Sequence, residues 1–165
     1  MPVTPFHFGP GALLAQATRS RVSFLSFCAA NVLIDVESLY NMVTRQPRIH
    51  TFLHTYVGAT LAAVAIVALF FPARWLAVKL PQGPLLSWRR LPVSAVVWGA
   101  LLGAWSHVLL DSVMHADIRP LAPFTQTNAL HLVISLRSLH EICIATGVLG
   151  FIWWLWRGNA GRAHP

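Results

Sequence analysis

The sequence carries little charge and very few acidic side chains. Charged residues make up 10% of its 165 residues, only five residues are acidic, and 56% are hydrophobic. Soluble domains carry roughly 25% charged residues. This deficit argues against a soluble helical bundle. It predicts an integral membrane protein, with one domain over residues 1–165 that ends in a short basic tail at 157–165.

Cysteine is also scarce. Cys28 and Cys143 both lie inside apolar segments, where a free thiol behaves as a small hydrophobe. Two such residues exclude a disulfide framework and a zinc knuckle. A cleavable signal peptide is not expected, because no positively charged stretch precedes an apolar run near residue 1.

Basic residues outnumber acidic ones and give a formal net charge of +7. They are scattered beside apolar runs and form no basic stripe interleaved with aromatic residues. Loop charges that orient a membrane protein therefore explain them better than nucleic-acid binding does. We expect no nucleic-acid partner.

Long apolar runs predict the helices. After an opening segment at Met1–Pro10, we expect helices at Gly11–Thr18, Val22–Val43, Thr55–Phe71, Val93–His115 and Ser138–Trp156. Their connections lie at Thr44–Thr51, Lys79–Pro92 and Ala116–Leu130. The first two helices would form a hairpin that returns Asp35 to the level of His7. The pattern predicts an all-α integral membrane helical bundle with three to four spanning helices and a short N-terminal hairpin arm.

The basic residues also predict an orientation. Eight would share one side of the membrane: Arg19, Arg21, Arg74, Lys79, Arg89, Arg90, Arg157 and Arg162. Four would lie toward the other side: Arg45, Arg48, Arg119 and Arg137. The side richer in Lys and Arg faces the cytoplasm. Trp88 and the tryptophans at 153, 154 and 156 suit the membrane interfaces.

The segment Trp105–Asp117 breaks the apolar pattern of its helix. His107, Asp111 and His115 are four residues apart, so on a helix they project from one face. Ionisable groups on an apolar helix are costly unless they are paired or bind a metal ion. About 12 Å separates the two histidines, so one ion cannot be held by both. We expect His107 and Asp111 on one ion, with Asp111 bridging to a second ion about 3.5–4 Å away.

Three other segments bring candidate ligands to the same end of the predicted bundle. They contain His7, then Asp35 with Glu37, then His50 with His54. Imidazole and carboxylate together suit zinc, manganese or iron, and the lack of cysteine pairs argues against a structural zinc site. The convergence predicts a metal centre.

Several of these residues have simpler interpretations. His7 could be incidental, Asp35 could pair with an arginine, and His50 could be an ordinary loop residue. His115 and Asp117 could be solvated at the rim. At most one of His140 and Glu141 would face the site, and His131 and His164 look like loop and tail residues.

His7 is followed in order by IDVE at 34–37, HTFLHT at 50–55, GAWSHVLLD at 103–111 and RPLAP at 119–123. In this order they resemble the YdjM-like family of bacterial membrane-bound metal-dependent hydrolases, over residues 1 to about 150, and the opening MPVTPFHFGPGALL is similar to the start of one subgroup. The resemblance implies a metal site at His7, Asp35, His54, His107 and Asp111, with Glu37 and His50 beside it. The family often has aspartate where Glu37 stands and a differently spaced histidine where His50 stands, and His115 and Asp117 look like subgroup features. A more distant resemblance, carried by His107 and Asp111 with His115, is to zinc-dependent phospholipase C and related nucleases.

These observations predict a membrane-bound metal-dependent hydrolase of the bacterial inner membrane, with its site toward the outer face. The expected cofactor is one or two divalent ions, Zn²⁺ first, with Mn²⁺ or Fe²⁺ as alternatives. Glu37 and Asp117 are the expected general bases, and Arg48 and Arg119 would bind an anionic phosphate. A site at the membrane boundary favours a lipid or lipid-linked phosphoester substrate.

The alternative is a proton- or metal-coupled transporter that uses the same residues. Transporters scatter polar groups over several depths and often contain internal repeats. This sequence clusters them at one end and shows no repeat, which favours a hydrolase. The oligomeric state stays open.

Overall fold

The computed structural model describes residues 4–19, 21–79 and 91–160. Within them the chain forms helices and no strand. The helices are α1 (Thr4–Ala17), α2 (Phe24–Val43), α3 (Tyr56–Lys79), α4 (Val93–Met114) and α5 (Leu136–Ala160). The predicted all-α helical bundle is confirmed.

Three of these helices are long and apolar enough to span a bilayer. They are Tyr56–Lys79, Val93–Met114 and the Leu136–Arg157 part of α5. Large apolar side chains cover their outer faces, and Trp98, Leu155 and Trp156 are exposed there. Such surfaces are stable against lipid rather than water. The composition therefore indicates a membrane protein with the predicted number of spanning helices.

Two helix boundaries differ from the prediction at prolines. The opening segment is helical from Thr4 onward, because Pro5 lies in the first turn, where its missing N–H costs no hydrogen bond, and the helix continues through Pro10. The third helix does not end before Pro72 but continues to Lys79. A proline inside an apolar helix is tolerated where neighbouring groups satisfy the freed carbonyl.

The helices alternate in direction. At one end of the bundle α1, α3 and α5 therefore begin, and α2 and α4 end there. Contacts at that end fix this arrangement. His7 near the start of α1 lies 3.0 Å from Asp111 near the end of α4. The amide of Tyr56, the first residue of α3, donates to the carbonyl of Pro120 after α4 (2.9 Å). We call this end the site end.

α2 and α4 run parallel and approach closely through two glycines of α4. A side chain at Gly99 would collide with Ser26 and with the carbonyl of Ser23, and one at Gly103 would collide with the carbonyl of Phe27. Glycines four residues apart allow this approach in membrane helices. The hydrophobic effect does not drive helices together in lipid, so close packing at small residues does so instead. The contact brings the α2 face that contains Asn31 against His107.

α1 packs mainly against α5, also in parallel. A side chain at Gly9 would meet the carbonyl of Cys143, and one at Gly150 would meet the backbone of α1. At the opposite end from the site, the Arg157 guanidinium donates to the carbonyl of Gln16 (3.0 Å). α5 therefore determines where α1 holds His7.

Some predictions fall outside the described residues. They concern most of the connection at Lys79–Pro92, with Trp88, Arg89 and Arg90, and the tail residues Arg162 and His164. The expected connection at Ala116–Leu130 lies within the described part and joins α4 to α5 as predicted.

Candidate metal centre

The side chains predicted to converge do so around Asp111. His107 Nε2 and His54 Nε2 lie 3.3 and 3.5 Å from Asp111 Oδ2, and His7 Nε2 lies 3.0 Å from Asp111 Oδ1. Asp35 Oδ1 is 3.3 Å from His107 Nε2 and 3.9 Å from His54 Nε2. Three helices and the segment before α3 each contribute, as the sequence predicted. We call these five residues the deep cluster.

Four members of the deep cluster are fully enclosed. His54, His107 and Asp111 have 0% exposure and His7 has 2%. Within the described residues, His107 Nε2 and both Asp111 oxygens make no hydrogen bond despite their short distances to one another. The nitrogens approach the carboxylate without the angle that a donated hydrogen requires. Nitrogen and oxygen lone pairs that face one another in this way are suited to a shared cation, because buried polar groups otherwise form hydrogen bonds.

The deep cluster also has the size of a coordination sphere. Asp35, His54, His107 and Asp111 each offer a ligand atom, and these atoms all lie within 4.8 Å of one another. Two imidazoles and two carboxylates are the donor set of zinc, manganese or iron sites, and no cysteine takes part. The residues therefore fit a divalent metal ion, whose identity the donor set alone does not select.

Asn31 on α2 orients His107 and was not singled out from the sequence. His107 Nδ1–H donates to Asn31 Oδ1 (3.0 Å), which leaves Nε2 as the nitrogen that faces Asp111. The Asn31 amide nitrogen donates to the carbonyls of Phe27 (2.8 Å) and Gly103 (3.2 Å), so the amide cannot turn over. Metal-binding histidines usually have such a partner on the second ring nitrogen.

Replacing Asn31 with leucine is expected to weaken metal binding by about 10–100-fold, because His107 loses the acceptor that fixes its ring. Titration calorimetry of the detergent-solubilised, metal-stripped protein with Zn²⁺ measures the change. Ser26→Ala is the matched control, since it removes another buried α2–α4 hydrogen bond, to the carbonyl of Val96 (3.0 Å), without touching His107. Equal affinities in the two variants would exclude the orienting role of Asn31.

Glu37 lies behind His54. Its Oε2 accepts a hydrogen bond from the Leu53 amide (2.9 Å) and lies 3.6 Å from His54 Nδ1. Burial opposes ionisation of Glu37, but contacts with His54 and hydrogen bonds outweigh it and lower the pKa of this carboxyl. Burial also opposes a charged His54, whereas its contacts with Asp111 and Glu37 outweigh burial and raise the pKa of His54. The carboxylates of Asp111 and Glu37 thus favour a positive charge at His54.

His50, His115 and Asp117 form a second group, the rim cluster. Each offers a ligand atom, and these atoms lie within 4.8 Å of one another. His115 follows the last residue of α4 in extended conformation, so the predicted helical ladder ends before it. The prediction that His115 belongs to the helix is wrong. His107 and His115 nevertheless lie in different ligand groups, in agreement with the expectation that one ion cannot be held by both.

Burial and repulsion from His54 lower the pKa of His50, although Asp117 opposes them. Burial likewise lowers the pKa of His115. Burial opposes ionisation of Asp117, but its hydrogen bond with His50 outweighs this and lowers the pKa of the carboxyl. At neutral pH the rim therefore has two neutral imidazoles beside one carboxylate.

The two clusters are continuous. Neighbouring ring centroids are 4.7 Å apart from His7 to His107, 5.3 Å from His107 to His54, 4.7 Å from His54 to His50 and 4.3 Å from His50 to His115. The series runs from the buried start of α1 to the partly exposed end of α4.

A cleft of about 350 Å³ opens beside the rim cluster, with Arg48, His50, Asp117 and Arg119 in its lining. Both arginines predicted to bind substrate therefore reach the same cleft. Arg48 is exposed, and Arg119 donates to the side chain of Gln126 (2.5 Å). Two guanidinium groups beside an opening favour an anionic ligand.

Other candidates from the sequence lie apart from both clusters. His140 packs edge-on against Phe6, with ring centroids 5.0 Å apart. Glu141 is exposed and pairs with Arg137 (2.9 Å) in an ordinary i,i+4 helix contact. Neither residue is among the groups that could hold a metal ion in the described part of the chain.

Comparison with known proteins finds no matching family model, no similar curated protein and no similar solved structure. The resemblance to the YdjM-like family therefore stays a prediction that rests on the quoted segments.

Proposed function

We propose that this protein is a membrane-bound metal-dependent hydrolase whose metal ion is held by the deep cluster. The observation that carries the proposal is the enclosure of Asp111 by three imidazoles and Asp35 at the site end. Ionisable groups buried in an apolar helix bundle are expensive, and a bound cation offsets that cost. The resemblance to membrane-bound metal-dependent hydrolases agrees with this interpretation.

A divalent ion in this donor set would lower the pKa of a bound water to about 7 and polarise a scissile phosphoryl group. Zn²⁺ is the first choice, and Mn²⁺ or Fe²⁺ suits the same residues.

The chain's own residues hold and orient the ligands. Asn31 fixes the ring of His107. Glu37 lies 3.6 Å from His54 Nδ1 and places a negative charge behind that ring. The base role expected for Glu37 and Asp117 stays a prediction. A lowered pKa makes each of these carboxyls a weaker base.

The substrate we propose is a phosphoester of a lipid or a lipid-linked molecule. His107 lies seven residues before the end of α4, which is about 10 Å along the helix axis. A site that far inside the end of a spanning helix lies below the level of the lipid phosphates, whereas the cleft beside the rim cluster opens at the helix end, nearer to them. The cleft with Arg48 and Arg119 would hold the phosphate, while the acyl chains stay in the membrane. Location in a bacterial inner membrane, with this end outward, belongs to the same proposal.

Replacing Arg119 with alanine is expected to raise KM by about 10–100-fold with a smaller change in kcat, because a hydrogen bond to a charged group contributes about 1.5–3 kcal/mol. Turnover of a phospholipid in mixed micelles measures both constants. Arg45→Ala is the control, since Arg45 is exposed and is not among the residues that line the cleft. A KM change of the same size in both variants would show general charge attraction instead of binding by Arg119.

The direct test of the reaction uses purified full-length protein in detergent, loaded with Zn²⁺ or Mn²⁺. Hydrolysis of bis(4-nitrophenyl) phosphate or of phospholipid micelles that stops on chelation, and returns with metal, supports the proposal. A folded, metal-loaded protein that hydrolyses neither substrate would refute it.

The rival function is proton- or metal-coupled transport, and the series of five imidazole rings favours it. Within the described residues, however, every buried histidine or carboxylate belongs to the deep or rim cluster. A path across the membrane needs such groups at other depths as well. Ion uptake into reconstituted vesicles without substrate turnover would favour transport.

A further inference from the structure

The rim cluster has the geometry of a second, separate cation site. His50 and His115 stack with ring centroids 4.3 Å apart and planes inclined by 30°. Asp117 lies against His50, with both carboxylate oxygens 3.0 Å from His50 Nδ1. Asp117 therefore fixes the His50 ring beside His115, and one possible ligand atom of each of the three residues lies within 4.8 Å of the others, apart from the ligands around Asp111.

Two nitrogens of this cluster lack a partner. His50 Nε2 and His115 Nε2 are both buried, and neither makes a hydrogen bond to any residue that the structure describes. The His50 side chain is only 3% exposed, so water does not replace the missing partner freely. A buried ring nitrogen without a hydrogen bond is uncommon. Here two such nitrogens lie on stacked rings, which favours a ligand near both.

The backbone around the rim cluster is fixed by hydrogen bonds. The Asn128 amide nitrogen donates to the carbonyls of Ser112 (2.8 Å) and His115 (3.0 Å), which sets the turn after α4. The backbone amide of His50 donates to Asp117 Oδ2 (3.3 Å). These contacts hold the three side chains together before any ion binds, and preorganisation of this kind lowers the free-energy cost of binding.

We propose that His50 and His115 bind a second divalent cation at the rim through their unpartnered Nε2 atoms, with Zn²⁺ or Mn²⁺ as the class of ion that the donors suit. Asp117 holds the His50 ring through Nδ1, as carboxylates do behind metal-binding histidines, and is not a general base in this site. His50 and His54 connect it to the deep cluster, with ring centroids 4.7 Å apart. The binding itself does not depend on the reaction proposed above.

A second ion would also define what the cleft binds. Arg48, Arg119 and two residues of the rim cluster, His50 and Asp117, line the same opening, so an anionic phosphoryl group in it would contact two guanidinium groups and lie beside the rim cation. Paired metal ions act on the attacking and leaving oxygens of phosphoryl groups in many hydrolases. This consequence rests on the proposed function, whereas the ion-binding site does not.

The test counts bound ions in the purified full-length protein after dialysis against Zn²⁺ and removal of free metal. We expect two equivalents in the wild type and one in His115→Ala and in Asp117→Asn. The ion retained in these variants shows that the deep cluster is still folded. His131→Ala, which removes a histidine outside both clusters, should keep two equivalents.

Fewer than two equivalents in the wild type, or two in both rim variants, would overturn the rim site. A protein that binds two ions but shows no hydrolysis would support the rim site and refute the proposed reaction. The two failures are therefore distinguishable.

Discussion

Replacing Asp111 with asparagine is expected to remove the metal ion from the deep cluster and to abolish hydrolysis. Asp111 contacts His7, His54 and His107, and its side chain is fully buried. Asparagine keeps the shape but loses the charge that compensates the cation. Loss of a residue that only orients a ligand costs about 10–100-fold in affinity. Loss of Asp111 should cost at least about 100-fold, and elemental analysis together with zinc titration measures it.

Glu141→Gln is the matched control for this change. It makes the same carboxylate-to-amide replacement on α5, where the side chain is exposed and pairs with Arg137. Exposed pairs of this kind contribute about 1 kcal/mol or less. The control should bind metal like the wild type. Asp111→Asn protein that keeps its full metal content would contradict the deep-cluster proposal.

Replacing Gly103 with alanine is expected to destabilise the bundle and weaken metal binding together. The added methyl group collides with the carbonyl of Phe27, so α2 must move away from α4. Overpacking of this kind costs about 1–3 kcal/mol. The same displacement carries Asn31 away from His107 and from the carbonyl of Gly103. Thermal unfolding in detergent and zinc titration report the two effects.

Gly147→Ala gives the comparison for Gly103→Ala. Both changes gain about 1 kcal/mol of helix propensity, but a Cβ at Gly147 would lie 3.3 Å from the Cα of Gly9 and meets no carbonyl. Its Tm should fall less, and its metal affinity should stay near that of the wild type. Equal losses in the two variants would show that the α2–α4 contact has no special role.

The positions of the long helices were predictable because a helix that faces lipid needs a long run of apolar residues. Long apolar runs identified α3, α4 and α5 to within a few residues at most of their ends. The start of α1 and the end of α3 were not predicted. Both errors involve proline, whose effect depends on whether a neighbouring group satisfies the freed carbonyl, and single-sequence patterns do not contain that information.

The deep cluster was predictable for a related reason. An ionisable residue in an apolar run is conspicuous, so His107 and Asp111 stood out, and alternation of helix direction brought His7, Asp35 and His54 to the same end. Ionisable residues in polar segments carry no such signal. The contact between His50 and Asp117 joins two loops 67 residues apart, and only the folded chain reveals it.

Asn31 and the glycines of α4 escaped prediction because their effect lies in what they touch. Asn31 resembles any polar residue on a helix until Gly103 lets its partner helix approach. The spacing of Gly99 and Gly103 was the available signal, since small residues four apart often mark close helix contacts in membranes. That spacing predicts contact but not which helix takes part.

The pairing of α1 with α5 has a consequence for biosynthesis. α1, which carries His7, is translated before α4, yet it packs mainly against α5, which is translated after α4. A nascent chain that has inserted α4 already contains His107 and Asp111, but it lacks the support that holds His7 against them. The centre therefore matures only after translation has passed α5, and a partly synthesised chain cannot retain metal with the affinity of the finished protein.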